Sequence, residues 1–243
     1  MNKKIKNIFL NSPFKSAKHS SYFYAYEELF SEFVDKKLTF VEVGILNGGS
    51  LFMWKNYFGK KARIIGIDNN PSSKCSEKFG FEIHTGNQAD PNFWSKFHKK
   101  VGKFDILLDD GGHLDIQQAT TLFENIDYIN DGGLIVIEDT HSSYLKKFGN
   151  PSNKSFMNLV FNLTNKLNYR SGVLKQHNKK CLKHPISQIR IFESICAFKI
   201  DRNHSSISKK LENNGKNLNI KDYRYEDTSR KQVDKFYLLF AFL

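Results

Sequence analysis

Apolar residues follow two rhythms along this chain. Near the start, Tyr22, Tyr26, Leu29, Phe30 and Phe33 recur at three- and four-residue spacing with Glu27, Glu28 and Glu32 between them, which predicts an amphipathic helix ending near Asp35-Lys36-Lys37. From residue 39 onward, short apolar runs alternate with amphipathic stretches: Thr39–Val43, Arg63–Asp68, Phe81–His84, Phe104–Leu108 and Gly133–Ile137. Strands alternating with helices predict βαβ units and a parallel sheet covered on both faces. The segment 140–185 breaks the pattern, with Asn, Lys and Ser around one apolar patch, Phe156–Phe161, and predicts a helix inside a mobile, lid-like excursion. Ile189–Ile200 then predicts one or two strands at the sheet's edge. The expected division is an N-terminal arm and helix (1–38), a central domain (39–200, with 140–185 as lid and acceptor region) and a C-terminal extension (201–243) that ends in the apolar run Phe236–Leu243.

Composition adds limits rather than a function. A chain of 243 residues with 40% apolar positions has enough material to bury one α/β core. Mean hydropathy is −0.50, no apolar run approaches the ~18 residues of a spanning helix, and the start Met1-Asn2-Lys3-Lys4 leads into no cleavage site. Secretion and membrane spanning are therefore not expected. Cys75, Cys181 and Cys196 are too few and scattered for a disulfide framework, so a reducing cytoplasm is the expected location. The net charge of +12 suggests a polyanionic or phosphorylated partner, although lysine spread among asparagine also fits a biased composition.

In open parallel sheets, ligands bind at the carboxyl ends of the strands. The first strand ends Val41-Glu42-Val43-Gly44-Ile45-Leu46-Asn47-Gly48-Gly49-Ser50, an acid followed by a glycine turn entering a helix. The pattern lacks the first glycine pair of the dinucleotide fingerprint, which disfavours a pyrophosphate seat. The second strand ends in Asp68, placed to accept hydrogen bonds from ribose hydroxyls. This combination resembles the S-adenosylmethionine site of class I methyltransferases, while a plain strand–turn–helix junction with a surface Asp would carry the same residues.

Two later clusters carry more. The fourth strand runs into Asp109-Asp110-Gly111-Gly112-His113 and the fifth into Glu138-Asp139-Thr140-His141. If those strands are neighbours, the clusters face each other about 5 Å apart. Carboxylates gathered in one crevice repel unless a cation sits among them, and an all-oxygen set suits a hard ion such as Mg²⁺. Glu138 and Asp139 can both reach one ion only if the chain has left the strand by then. His113, behind two glycines, can swing over the same crevice and titrates near neutrality, as a general base must.

Taken in order, Phe40-Val41-Glu42-Val43-Gly44, Gly48-Gly49-Ser50-Leu51, Gly66-Ile67-Asp68, Gly86-Asn87-Gln88, Asp109–His113 and Ile137–Tyr144 resemble the metal-dependent sugar O-methyltransferases of the macrocin and mycinamicin type. The likeness spans residues 20–144 and fades through 145–200. It implies a Rossmann-like class I methyltransferase fold: a mostly parallel seven-stranded sheet flanked by helices, with an N-terminal helical arm and a lid-like insertion after the fifth strand. It further implies Asp110, Glu138 and Asp139 as metal ligands and His113 as the base. Glu42, Gly44, Asp68 and Gln88 would line the S-adenosylmethionine site, and Asp109 would face that cofactor. Gly112 stands where relatives commonly carry Ser, which would loosen the loop holding His113. Asn87 stands where they carry Asp, leaving Gln88 to hold the adenosine.

The implied reaction is methyl transfer to a sugar hydroxyl. Lys146, Lys147, Arg170, Lys175, His177, Lys179 and Lys180 are candidate partners of a diphosphate, which favours a nucleotide-activated sugar, for instance a GDP-heptose for a capsule or surface polysaccharide. A glycosylated natural product is the alternative acceptor. A nucleic-acid methyltransferase would account for the charge, but a base-amino enzyme carries an Asn/Asp-Pro-Pro-aromatic turn where this chain has Asp109–His113, so no nucleic-acid partner is expected. A non-catalytic binding protein that kept the fold is a further rival. The apolar end suggests a homo-oligomer.

Overall fold

The computed structural model describes residues 4–220, without the side chains of 175–178. The apolar end 236–243, on which the homo-oligomer expectation rests, lies outside the described residues. One compact unit ends at Lys209. Of the second unit, residues 210–220 contain no helix or strand and include an ion pair between Lys210 and Glu212 at 2.6 Å.

Within the first unit a seven-stranded sheet is built from β1 (Thr39–Val43), β2 (Arg63–Asp68), β3 (Glu82–Thr85), β4 (Phe104–Asp109), β5 (Ile129–Ile137), β6 (Ile186–Phe192) and β7 (Ile195–Ile200). The order is β3-β2-β1-β4-β5-β7-β6. Strands β1 to β5 are parallel, and the β6–β7 hairpin adds an antiparallel edge. The order reverses between β1 and β4, so their carboxyl ends open the crevice where such sheets bind ligands. Asp109 pairs with Ile137 across β4 and β5, which sets Asp110 beside Glu138 one residue on.

Alternation along the strands divides the core in two. Phe40, Ile64, Ile106 and Val136 face one layer, with Trp54 and Phe58 of α3 (Gly49–Phe58) and Tyr26 and Phe30 of α2 (Tyr22–Phe30). Val41, Ile65, Leu107 and Ile135 face the other, against α4 (Pro91–Val101), α5 (Asp115–Asn125) and α6 (Phe156–Asn168). Local signals set the helix ends. Asp90 caps α4 by accepting from the Asn92 amide at 2.9 Å ahead of Pro91, and Gly102 ends it at φ +75°.

The N-terminal arm packs onto the domain. It contains α1 (Ile5–Leu10), Ile5 is fully buried, and Phe14 packs against Phe52 and Phe79 at ring separations of 5.4 and 5.1 Å. The hydroxyl of Ser12 donates to the Gly49 carbonyl at 2.6 Å, and a Cβ on Gly49 would lie 2.3 Å from the Phe14 carbonyl oxygen, so the arm's backbone lies tight on the start of α3.

The excursion 140–185 contains the expected helix, and that helix, α6, buries Phe156, Met157, Val160 and Leu163 in the second core layer; this part of the excursion is core rather than cover. At ~1.5–3 kcal/mol for each large apolar side chain, lifting α6 would approach the whole stability of an ordinary domain. Most of the apolar patch Phe156–Phe161 is the packing face of this helix, with Phe161 half exposed on its other side.

Candidate active site

A cavity of about 840 Å³ opens at the carboxyl ends of the central strands. One half is lined by Gly44, Ile45, Leu46 and Asp68, from the turns after β1 and β2, together with Asn87 and Gln88 after β3. The other half holds Asp110, His113, Glu138 and Asp139, and residues 15–19 of the arm, with Tyr22, complete the wall. Among the expected site residues, Gly44, Asp68, Gln88, Asp110, His113, Glu138 and Asp139 line the cavity, whereas Glu42 and Asp109 lie beneath it.

The turns are shaped by close approach. A Cβ on Gly44 would fall 2.0 Å from the Asp110 carbonyl oxygen, and Gly44 has φ +85°, so the ends of β1 and β4 meet only because this residue is glycine. The amide of Asp110 donates to the Val43 carbonyl at 2.9 Å. Asp68 accepts from the amides of Ile45 (3.1 Å), Leu46 (2.9 Å) and Asn70 (2.8 Å), fixing its carboxylate at the cavity wall. Leu46, His113 and Asp139 all sit at positive φ (+42°, +57° and +53°). Such conformations in non-glycine residues carry strain and gather where a site is built.

Gln88 does more than line the wall. Its side-chain amide donates to both oxygens of Asp109 at 2.9 Å, and its carbonyl oxygen accepts from the Gly112 amide at 2.9 Å. Burial raises Asp109 to about 6, against the hydrogen bonds from Gln88, Gly111 and Thr121 that lower it. The loop carrying His113 is therefore held from below. A Cβ on Gly112 would lie 2.2 Å from the Gln117 side-chain oxygen, and that oxygen accepts from the Leu114 amide at 3.1 Å. The glycine expected to loosen the loop instead makes room for Gln117 to cap the start of α5.

Glu42 shares the sheet face of Phe40 and points toward α3, where its carboxylate accepts from the Ser50 hydroxyl at 2.8 Å. Burial raises it to about 7, with Lys18 acting in the opposite direction. The acids after β4 and β5 meet as the sequence suggests. One ligand atom each from Asp110, His113 and Asp139 lies within 4.8 Å of the others. β5 ends at Ile137, so Glu138 and Asp139 lie past the strand, free of its strict alternation, and their carboxylates take different partners. Asp139 accepts from the Tyr22 hydroxyl and stands 3.2 Å from His113 Nε2, while Glu138 accepts from the Tyr26 hydroxyl and from Lys18 Nζ at 3.0 Å. Burial raises Glu138 to about 8, partly offset by Lys18.

Lys18, Tyr22 and Tyr26 were missed by the sequence reading. The two tyrosines were counted as apolar stripe; that they are phenols rather than Phe or Leu was the available signal, since a buried hydroxyl needs a partner. Lys18 carried none among so many lysines. Conversely, among the described residues, Lys146, Lys147, Arg170, Lys179 and Lys180, expected around a diphosphate, are not on the cavity wall. Arg170 is buried and donates to the carbonyls of Leu182 (3.1 and 3.0 Å), Ile186 (2.5 Å) and His184. Lys147 and Lys180 lie over the rings of Phe148 and Tyr169. The side chains of Lys175 and His177 lie outside the described residues. Among the described residues, the lysines on the wall are Lys15 and Lys18, both from the arm.

Comparison with known proteins follows the same outline. No protein-family model matches the chain. Over 137 residues it is 34% identical to the 8-demethyl-8-alpha-L-rhamnosyl tetracenomycin-C 2'-O-methyltransferase of Streptomyces olivaceus, covering 53% of this chain and 35% of that protein. It is 32% identical over 134 residues to the demethylmacrocin O-methyltransferase of Streptomyces fradiae, covering 52% and 33%. The mycinamicin VI 2''-O-methyltransferase of Micromonospora griseorubida is 32% identical over 133 residues, covering 51% and 32%. The chain thus spans about a third of the length of these relatives. Among solved structures, the MycE methyltransferase of the mycinamycin pathway, in complex with Mg and SAH, superposes with a TM-score of 0.72 at 20% identity, over 85% of this chain and 56% of that one. Sheet order, switch point and superposition together give this chain the Rossmann-like fold of the class I methyltransferases.

Proposed function

We propose that this chain is an S-adenosylmethionine- and divalent-metal-dependent O-methyltransferase acting on a sugar hydroxyl. The observation that carries this reading is the meeting of Asp110, His113 and Asp139 across one cavity from the glycine turn and Asp68. The cavity volume of about 840 Å³ and the acidic wall fit a cationic cofactor beside an acceptor. Asp68, held by three backbone amides, is the group for the ribose hydroxyls. The oxygen-rich set on the other half fits a hard cation, with Asp110, Glu138 and Asp139 all lining the cavity. A divalent ion held there supplies the positive charge that makes a sugar hydroxyl acidic.

The protein's own groups do the rest. His113 takes the hydroxyl proton on its imidazole, and Asp139 Oδ2, 3.2 Å from Nε2, orients the ring and pairs with its charged form. Tyr22 and Tyr26 fix the neighbouring carboxylates by donating to Asp139 and Glu138. The acceptor is taken as a nucleotide-activated sugar, such as a GDP-heptose, on the strength of the +12 charge and of Lys15 at the cavity wall. A glycosylated natural product is the second reading, favoured by the relatives' activities on rhamnosyl tetracenomycin C and demethylmacrocin. The test is methyl transfer from labelled S-adenosylmethionine to a panel of nucleotide sugars and deoxysugar glycosides, with and without EDTA. Transfer to a sugar hydroxyl that EDTA abolishes is expected. Transfer indifferent to EDTA, or to no sugar at all, rejects the proposal.

A further inference from the structure

The Lys18 ammonium is enclosed by acids from three different strand ends. Its side chain is 1% exposed, and Nζ lies 2.8 Å from Asp110 Oδ2, 3.0 Å from Glu138 Oε2 and 3.6 Å from Glu42 Oε1. Glu42 and Glu138 are themselves fully buried, and Glu42 Oε1 has no hydrogen-bond partner, so the ammonium is the positive charge that it faces. The Tyr26 ring lies against the same cation, 5.9 Å from Nζ to its centroid. Burying an ammonium is costly unless it is paired and hydrogen-bonded. Carboxylates crowded without a cation are equally unfavourable, so lysine and acids each supply what the other lacks.

We infer that Lys18 is a built-in counter-cation of the metal centre: a positioning residue that holds Asp110 and Glu138 in place before any ion arrives and competes with the ion for their oxygens. This rests on the metal-dependent reading proposed above. The two carboxylates that Nζ touches are two of the three acids assigned to the metal, so the oxygens that would face an ion are already engaged by a fixed charge. The metal affinity is thereby kept moderate, and the crevice is preformed without metal. The cation comes from the docked arm, so the arm is part of the centre rather than a neighbour of it.

The test is Mn²⁺ binding to the full chain at pH 8, counted by electron paramagnetic resonance, together with thermal unfolding with and without Mg²⁺. In K18M the unbalanced acids should bind Mn²⁺ at least about 10-fold more tightly than in the native protein, as removal of one nearby buried positive charge requires. The melting temperature of K18M should fall without metal and recover with Mg²⁺, whereas K18R should keep the native affinity within about threefold. A purely structural lysine would lower the melting temperature equally with and without Mg²⁺ and leave Mn²⁺ affinity unchanged, which overturns the inference. If K18M does not fold, the charge-balanced K18M/E42Q is compared with E42Q, and the same tightening of about 10-fold is expected; equal affinities overturn the inference. Native binding of Mn²⁺ with unchanged binding in the variants rejects only the role of Lys18. No Mn²⁺ binding by any form rejects the metal centre and this inference with it.

Discussion

His113 Nε2 stands 3.2 Å from Asp139 Oδ2, and both residues hold positive φ, at +57° and +53°. Two strained turns after adjacent strands thus present an imidazole and a carboxylate to one point in the cavity. The strain is offset by the Gln88 carbonyl on one side, which accepts from the Gly112 amide, and by the Tyr22 hydroxyl on the other, which donates to Asp139.

H113A and D139N are expected to separate chemistry from cofactor binding. Removing a positioned general base lowers turnover by about 10²–10⁴-fold, and Asp68 is held by the amides of Ile45, Leu46 and Asn70 rather than by either side chain. Calorimetry with S-adenosylhomocysteine should show affinities within about threefold of native for both variants. Turnover within tenfold of native in H113A refutes its role as the base.

Gly44 and Gly112 differ in what a methyl group would meet, and their substitutions should differ accordingly. G44A places Cβ 2.0 Å from a backbone carbonyl of the β4 turn at φ +85°, where nothing flexible can yield. A loss of roughly 3 kcal/mol or more in denaturant unfolding, with no activity, is expected, as for other overpacked and strained sites. G112S meets only the end of the Gln117 side chain at 2.2 Å. Rotation of Gln117 relieves that contact and forfeits its cap on Leu114, a change of about 1 kcal/mol. Equal losses in the two variants would contradict the close approach described here.

The buried carboxyl of Glu42 imposes a pH dependence opposite to that of an ordinary paired acid. Burial raises it from 4.5 to about 7 in the folded protein. Between those values the folded chain holds a proton that the unfolded chain has released, so stability falls as pH rises through this window and levels off above it. The gap is worth about 3 kcal/mol at most. Unfolding of the metal-free protein followed from pH 4.5 to 8 should show this decline, and E42Q should make it shallower, the remaining slope belonging to Asp109 and Glu138, which burial also raises. A slope unchanged in E42Q would place the proton elsewhere.

The sequence alone specified the alternation of strands and helices, the site at the carboxyl ends, and the meeting of Asp110 with Glu138 and Asp139. These are local or nearly local properties: period-two and period-3.6 patterning sets the elements, and each acid follows directly on an apolar run that has to be a central strand. Three features were decided only by tertiary structure. Glu42 was read as facing the ligand, yet strand alternation turns it to the layer of Phe40, where Ser50 and Lys18 meet it. The patch Phe156–Phe161 predicts a helix within the lid-like stretch 140–185, yet whether an amphipathic helix faces a core or a substrate depends on which surface lies opposite, and for α6 that is the sheet. Lys18 looked like one lysine of an excess because its partners come from three strand ends 24, 92 and 120 residues away along the chain. A charge acquires a role only through what surrounds it, and no local pattern records that distance-spanning enclosure.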